Sequence, residues 1–478
     1  MDSASFQFVF FGLAVAALSN LSRSRAWRSL VLMAASVLFL FFLERNPLAY
    51  VPLIGFLALG YLCLMLIRRG LPKAPVLGIL LVLFVYIWLK KYTFLPASIY
   101  LHSFYFTLGL SYIFFRVMHL VIECRDDQAI QKIGLFEYLL YTLNFTTLIS
   151  GPIQRYDAFA QDQFASEPLP LGPRVVGLQL ERIVRGFFKV NVVAMFFDVF
   201  RQDALQELMQ PLSAQVKLWA AFRLMVSYTF FLYANFSGYI DIVIALARLM
   251  RVRLPENFDR PFSAASFIDF WSRWHITLST WFKNYVYSPM MVAMMRRISS
   301  VALQPYLGVF AFFVTFFLVG IWHGRTSEFL VYGLLQGGGV SINKLWQVML
   351  AQFMGRKRYK ALAGNTAYIA LARGLTFSWF TFTLLWLWAG WKQIDGVYAS
   401  LSVTAWAEVW LGIWLSATVT LALWEWLRGA LLSIQTGGEP ILTHRYARVV
   451  YASALGLAGV FITILLNAPA PGIVYKAF

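Results

Sequence analysis

Apolar runs close to the length of a membrane-crossing helix recur along nearly the whole chain, and they limit what it can fold into more than any other feature. A spanning helix needs about 20 predominantly apolar residues. Runs approaching that length lie at Phe6–Asn20, Leu30–Leu43, Tyr50–Ile67, Val76–Leu89 and Phe104–Ile122. Others follow at Ala220–Met250, Leu307–Trp322, Phe329–Leu350, Tyr368–Trp391, Trp406–Trp426 and Val449–Leu466. Several are short, which predicts tilted, paired or re-entrant helices beside full spans. Only 13% of the 478 residues are charged and 60% are hydrophobic, whereas a soluble chain carries roughly twice that share of charge. The chain reads as an all-α, multi-pass integral membrane protein. With no repeat, low-complexity tract or soluble domain evident, residues 1–478 are taken as one membrane domain.

The net charge of +18 points to orientation and anionic lipid, not to nucleic acid. The basic residues fall in short clusters between apolar runs: Arg23, Arg25 and Arg28; Arg68, Arg69 and Lys73; Arg356, Lys357, Arg358 and Lys360. Such clusters belong to cytoplasmic loops, where Lys and Arg are retained. Starting with the N-terminus outside puts the first two inside but leaves Lys90 and Lys91 outside, so the number of crossings before residue 100 stays open. Phe6–Leu18 lacks a preceding basic residue and a cleavage site and reads as a retained span. Cys63 and Cys124 imply neither a disulfide framework nor a metal site.

Against this background the stretch Asn257–Asn284, NFDRPFSAASFIDFWSRWHITLSTWFKN, gathers charge, hydroxyls, tryptophans and a histidine, and it needs shelter from lipid. Ser266 with Asp269 three residues on predicts a helix start of the capping-box kind. From there the spacing of Phe267, Trp271, Trp274, His275 and Leu278 predicts one helix with an aromatic face. Asp269 and Arg273, four apart, are set to pair. Taken alone, a single histidine among tryptophans reads as a packed, hydrogen-bonded core residue.

Other polar features interrupt the apolar pattern. Arg116 and His119, one turn apart, are assigned to pairing with a neighbouring helix. SGPIQRY, Ser150–Tyr156, is either a plain loop with a snorkelling arginine or a structured loop facing a polar cavity. Residues 161–174 are linker-like, with three prolines. The helix expected over Val175–Phe200 carries Arg182, Arg185 and Lys189 as a headgroup-level basic band. YANFSGYID puts Asn235, Ser237, Tyr239 and Asp241 at membrane depth, and an ionised Asp there costs on the order of 3 kcal/mol. Those groups must face a wet interior or a partner. Ser288–Ile298 is too short to cross and rich in flexible methionines that suit a partner surface; an amphipathic segment lying on the membrane is the other reading. His323 ends a purely apolar run, with Arg325 and Glu328 close behind, which calls for a polar cavity or a membrane boundary. Phe329–Leu350 is expected to be interrupted by Gly337, Gly338 and Gly339.

PENFDRPF, FWSRWHITLSTWFKNYVY and GIWHG, with 48 positions separating His275 from His323, resemble the membrane-bound O-acyltransferase family. SGPIQRY and FSGYID resemble two further landmarks in the right order. The likeness covers roughly residues 104–350, and within the family it is similar to the bacterial branch that modifies teichoic acids and alginate. Those relatives usually carry Asp where this chain has Asn235, and commonly Arg-Asp where it has Lys283 and Asn284. The resemblance implies a ring of roughly ten to eleven helices with re-entrant segments around a central funnel, in a bacterial inner membrane. By position, His323 matches the catalytic histidine and His275 the second histidine of the branch.

An acyl thioester is already activated, so transfer needs a base for the acceptor hydroxyl and donors for the oxyanion. His323 is assigned the base. His275 positions the acceptor or steadies the oxyanion, with Trp274, Ser279 and Gln336 as helpers and Asp241 and Asn235 as further substrate-binding candidates. The donor, an acyl carrier protein or acetyl-CoA, is cytoplasmic, and Met291 and Met294 are its candidate docking residues. No bound cofactor is expected. The acceptor is a polymer hydroxyl outside the membrane or a small membrane or periplasmic relay partner. A transporter or flippase, with Asp241, Arg155 and the histidines as gating or proton-relay groups, is the competing class. A zinc site is disfavoured by the 48-residue histidine spacing and the lack of an HxxxH or CxxC pattern.

Overall fold

Backbone that crosses hydrocarbon has to close its own hydrogen bonds, which leaves this chain helices. The computed structural model describes residues 5–436, 439–440 and 444–466, with side chains at 5–434 and 444–463. Among them, seven helices are long and apolar enough to cross a membrane: 25–43, 47–68, 214–249, 304–323, 366–388, 403–433 and 445–463. Phe6–Ser19 and Ala74–Lys90 are shorter apolar helices. The protein is thus all-helical and multi-pass, apart from a two-residue strand pair near residue 436. It divides into two compact units, Met1–Asn191 with Asn235–Glu256 and Gly459–Phe478, and Val192–Ala234 with Asn257–Ala458.

In the first unit the expected run Phe104–Ile122 is helical only over Leu110–Glu123. Gly109 is left-handed at φ 76°, and that starts the helix late. Arg116 is buried and donates to Tyr141 O (3.2 Å), Thr142 O (2.7 Å) and Thr147 O. It thereby satisfies carbonyls that the end of helix Leu135–Thr142 leaves open. His119 Nε2 accepts from Tyr156 N at 3.1 Å. SGPIQRY is a structured loop: Tyr141 donates to Gln154 O (2.6 Å), Gln154 Nε2 donates to Arg253 O (2.8 Å), and Arg155 forks onto Glu123 (2.8 and 2.9 Å).

The basic helix Pro173–Phe188 crosses the second half of Ala214–Leu249 at two glycines. A Cβ on Gly186 would lie 2.5 Å from Gly238 O, so only glycine permits the approach. The crossing brings Arg182 (2.9 Å), Arg185 (3.4 Å) and Lys189 (2.8 Å) onto Asp241. Arg182 also forks onto Glu256 at 2.5 and 2.7 Å. The buried Asp241 is therefore compensated by three cations from one neighbouring segment.

The second unit is built on the helical hairpin Gln304–His323 and Ser327–Met354. The glycine triplet does not interrupt the second helix, contrary to the expectation from composition. Gly337 would put a Cβ 2.7 Å from Phe313 O, and Gly333 one 2.7 Å from Phe317 O. These glycines let the backbones pack, the membrane use of small residues. The run expected over Tyr368–Trp391 is present as the span 366–388, helical over Thr366–Thr383 with a further turn at Leu385–Trp388, and a new helix starts at Trp391.

Candidate active site

Ser266 caps the helix Phe267–Arg273 by accepting from Asp269 N at 3.1 Å, and Arg273 Nε meets Asp269 Oδ1 at 2.9 Å, both as the spacing predicts. The single helix through His275 does not form. Trp274 is extended, His275 is left-handed at φ 45° and ψ 52°, and a second short helix runs Ile276–Phe282. An L-residue in that conformation costs roughly 1–2 kcal/mol, so something must hold the break open.

The holding residues come from the preceding loop. Asp259 N donates to Arg273 O (3.0 Å) and Ile276 N to Asn257 O (3.0 Å), with Phe258 and Trp274 paired as an isolated antiparallel bridge. Asn257 Oδ1 accepts from Thr277 N (3.0 Å) and Thr277 Oγ1 (2.9 Å), and it lies 3.3 Å from His275 Nδ1. Asn257 and His275 are each 0% exposed. Strand-like pairing and one amide thus take up Arg273 O, Ile276 N and Thr277 N in place of helical bonds, while Trp274 N keeps its helical bond to Phe270 O at 2.8 Å. Neither Asn257 nor Thr277 was assigned a role from the sequence; the only signal was an asparagine in PENFDRPF, 18 residues before the histidine.

His323 ends the helix Gln304–His323 and is buried; its Nδ1 lies 2.7 Å from Val319 O. A carbonyl only accepts, so that nitrogen carries the proton and Nε2 is the basic one. The two histidines come together. The Trp322 indole is 6.4 Å from the His275 ring and 5.0 Å from that of His323, and Tyr332 meets His323 edge-on at 5.4 Å between centroids. His275 lies outside the seven spanning helices. Burial first, and the nearby His323 second, push its pKa well below the usual histidine value, so the imidazole stays neutral.

The helpers fall in different places. Gln336, one turn beyond Tyr332, is fully buried; its Nε2 donates to Thr383 Oγ1 at 2.8 Å, and its Oε1 has no hydrogen bond to described protein atoms. Trp274 packs among Phe270 (5.6 Å, stacked), Phe258 (5.1 Å) and Phe380 (5.0 Å), an aromatic cluster behind the break. Ser279 is half-buried and reaches Trp274 O at 3.5 Å. Asn235 and Asp241 belong to the other unit, Asn235 fully buried and Asp241 within its cluster of cations. Met291 and Met294 are half-buried on the short helix Ser288–Arg297, whose exposed residues are Pro289, Val292, Ala293, Met295, Arg296 and Arg297.

These features define a class: a multi-pass helical membrane protein with paired, shielded imidazoles suited to proton transfer. Comparison with known proteins narrows it. The model of the membrane-bound O-acyltransferase family matches residues 125–386, over half of the chain. A teichoic acid D-alanyltransferase of Bacillus subtilis (strain 168) is 27% identical over 281 residues, 59% of this chain and 68% of that protein. One from Streptococcus thermophilus is 32% identical over 249 residues, 50% of this chain and 57% of that protein. A peptidoglycan O-acetyltransferase of Helicobacter pylori is 31% identical over 221 residues, 45% of this chain and 39% of that protein. The matches to the last two therefore span 57% and 39% of those relatives, less than two thirds of either. The chain belongs to the membrane-bound O-acyltransferase family.

Proposed function

We propose that the protein moves a short acyl group, D-alanyl or acetyl, from a cytoplasmic thioester to a hydroxyl of an extracytoplasmic polymer or of a relay partner. The setting is a bacterial cytoplasmic membrane. The observation that carries this reading is the meeting of His275 and His323, 48 residues apart in sequence, beside one indole in a buried setting. His323 Nε2 takes the proton of the acceptor hydroxyl as its oxygen attacks the thioester carbonyl. Collapse of the tetrahedral intermediate breaks the C–S bond, and the leaving thiolate recovers that proton from the imidazolium. The new bond is an ester, and the enzyme returns unchanged.

An acyl carrier protein or acyl-CoA supplies the thioester, and the exposed face of Ser288–Arg297, apolar with two terminal arginines, suits an acidic carrier. Asp241, held by three cations, fits a structural ion cluster better than the proton relay that a transporter would require. Reconstituted protein incubated with a labelled thioester and a glycan acceptor tests the reading. Label recovered in an ester bond supports it, and intact donor or glycan moved across the bilayer with no new ester would overturn it.

A further inference from the structure

We infer that Asn257 is the positioning residue that fixes which nitrogen of His275 is basic, making His275 an acceptor toward the substrate hydroxyl and not a donor to the oxyanion. This deepens the proposed acyl transfer and rests on His275 belonging to that site. Thr277 N can only donate, and it lies 3.0 Å from the Asn257 side-chain oxygen. Rotating the amide would set Nδ2 against that N–H, donor against donor. The amide orientation is therefore fixed from the backbone, even though Nδ2 has no hydrogen bond to described protein atoms. Because Oδ1 only accepts, His275 Nδ1 at 3.3 Å must bring the proton, and the lone pair of the neutral ring sits on Nε2.

A neutral imidazole with its proton committed to Asn257 has nothing to donate to a developing oxyanion. It can accept from a hydroxyl. The two roles left open for His275 by sequence alone thus separate: it orients the acceptor for His323 or shares its proton. Asn257 also fixes the ring's place along the chain, since its backbone oxygen takes Ile276 N at 3.0 Å. Charged residues flanking the break are engaged with one another: Arg273 lies 2.9 Å from Asp269 and 4.0 Å from Asp259, and Arg260 lies 3.6 Å from Asp259. His323, from the helix Gln304–His323, is a titratable group that acts on His275.

The test uses full-length protein labelled with 15N-histidine, with His275 assigned through His275→Gln. In the parent the proton should sit on Nδ1. Asn257→Asp keeps an acceptor in place, so Nδ1 should stay protonated. Its added charge should hold the imidazolium to higher pH, moving the acidic limb of the kcat/KM profile upward. Asn257→Leu should lose the Nδ1–H form while the His323 signals stay put. A proton on Nε2 of parental His275, or an unmoved His275 signal in both variants, would overturn the inference. The NMR readout needs no turnover, so an inactive parent would count against acyl transfer without touching the tautomer.

Discussion

Replacing Gly320 by alanine should cost both stability and turnover, because this glycine sets how closely the His323 helix approaches its neighbour. A Cβ there would stand 2.5 Å from Gly333 N and 3.2 Å from Tyr332 C, and closer still to Gly333 Cα. Non-bonded carbons rest at about 3.5–4.0 Å. Backbone cannot swing aside as a side chain can, so the two helices must part by roughly 1 Å or more. Overpacking of this kind costs about 1–3 kcal/mol. The separation would also carry His323 away from Tyr332, and a misplacement near 1 Å can cost on the order of 10²-fold in rate. Gly338, on the same helix as Gly333, is the control: nothing lies within 4 Å of its added Cβ. Gly338→Ala should be neutral or should gain about 0.5–1 kcal/mol from helix propensity. Thermal unfolding in detergent and acyl transfer would be measured for both. If Gly320→Ala matched Gly338→Ala in unfolding temperature and rate, the close-packed hairpin could not be what places His323.

Asp241→Asn leaves Arg182, Arg185 and Lys189 without their shared counter-charge and should cost about 2–3 kcal/mol, discounted from a fully buried pair because Arg185 is partly exposed; unchanged unfolding would count against a structural cluster. His275, with its pKa depressed in the fold, contributes stability that is present above the usual 6.5 and lost as pH falls below it. That loss should set in as pH falls from about 7 to 5, and His275→Asn should remove this share of the pH dependence; a variant as acid-sensitive as the parent would refute it. Met291→Asp with Met294→Asp, and Met295→Asp alone, should weaken donor binding about tenfold or more, read as a rise in KM with kcat kept. Equal KM in all three proteins would remove that helix from donor docking.

The membrane class and most spans were legible because a helix in hydrocarbon must be long and apolar, and composition records that directly. The Ser266 cap and the Asp269–Arg273 pair were legible for the same kind of reason, being local and periodic. The helix break at His275 was not. Its cause is a loop strand 18 residues away that offers Asn257 and Asp259 as bonding partners, and period-3.6 spacing carries no trace of a competing strand. The glycine triplet misled in the opposite sense. Exposed glycines weaken helices, yet here Gly337 is required by the approach of Phe313 O, which is a property of the neighbour. Asp241 was legible as a buried charge needing company, and Arg182, Arg185 and Lys189 as a basic band. That each group satisfies the other follows from the Gly186–Gly238 crossing, which joins segments some 50 residues apart.

The central claim is that His323 takes the acceptor's proton. Single-turnover acyl transfer by His323→Ala, with donor saturating and the unfolding temperature matching the parent, tests it most directly. A fall of about 10²–10⁴-fold in the transfer step is predicted, with donor binding retained. Transfer within a few-fold of the parent would contradict the assignment.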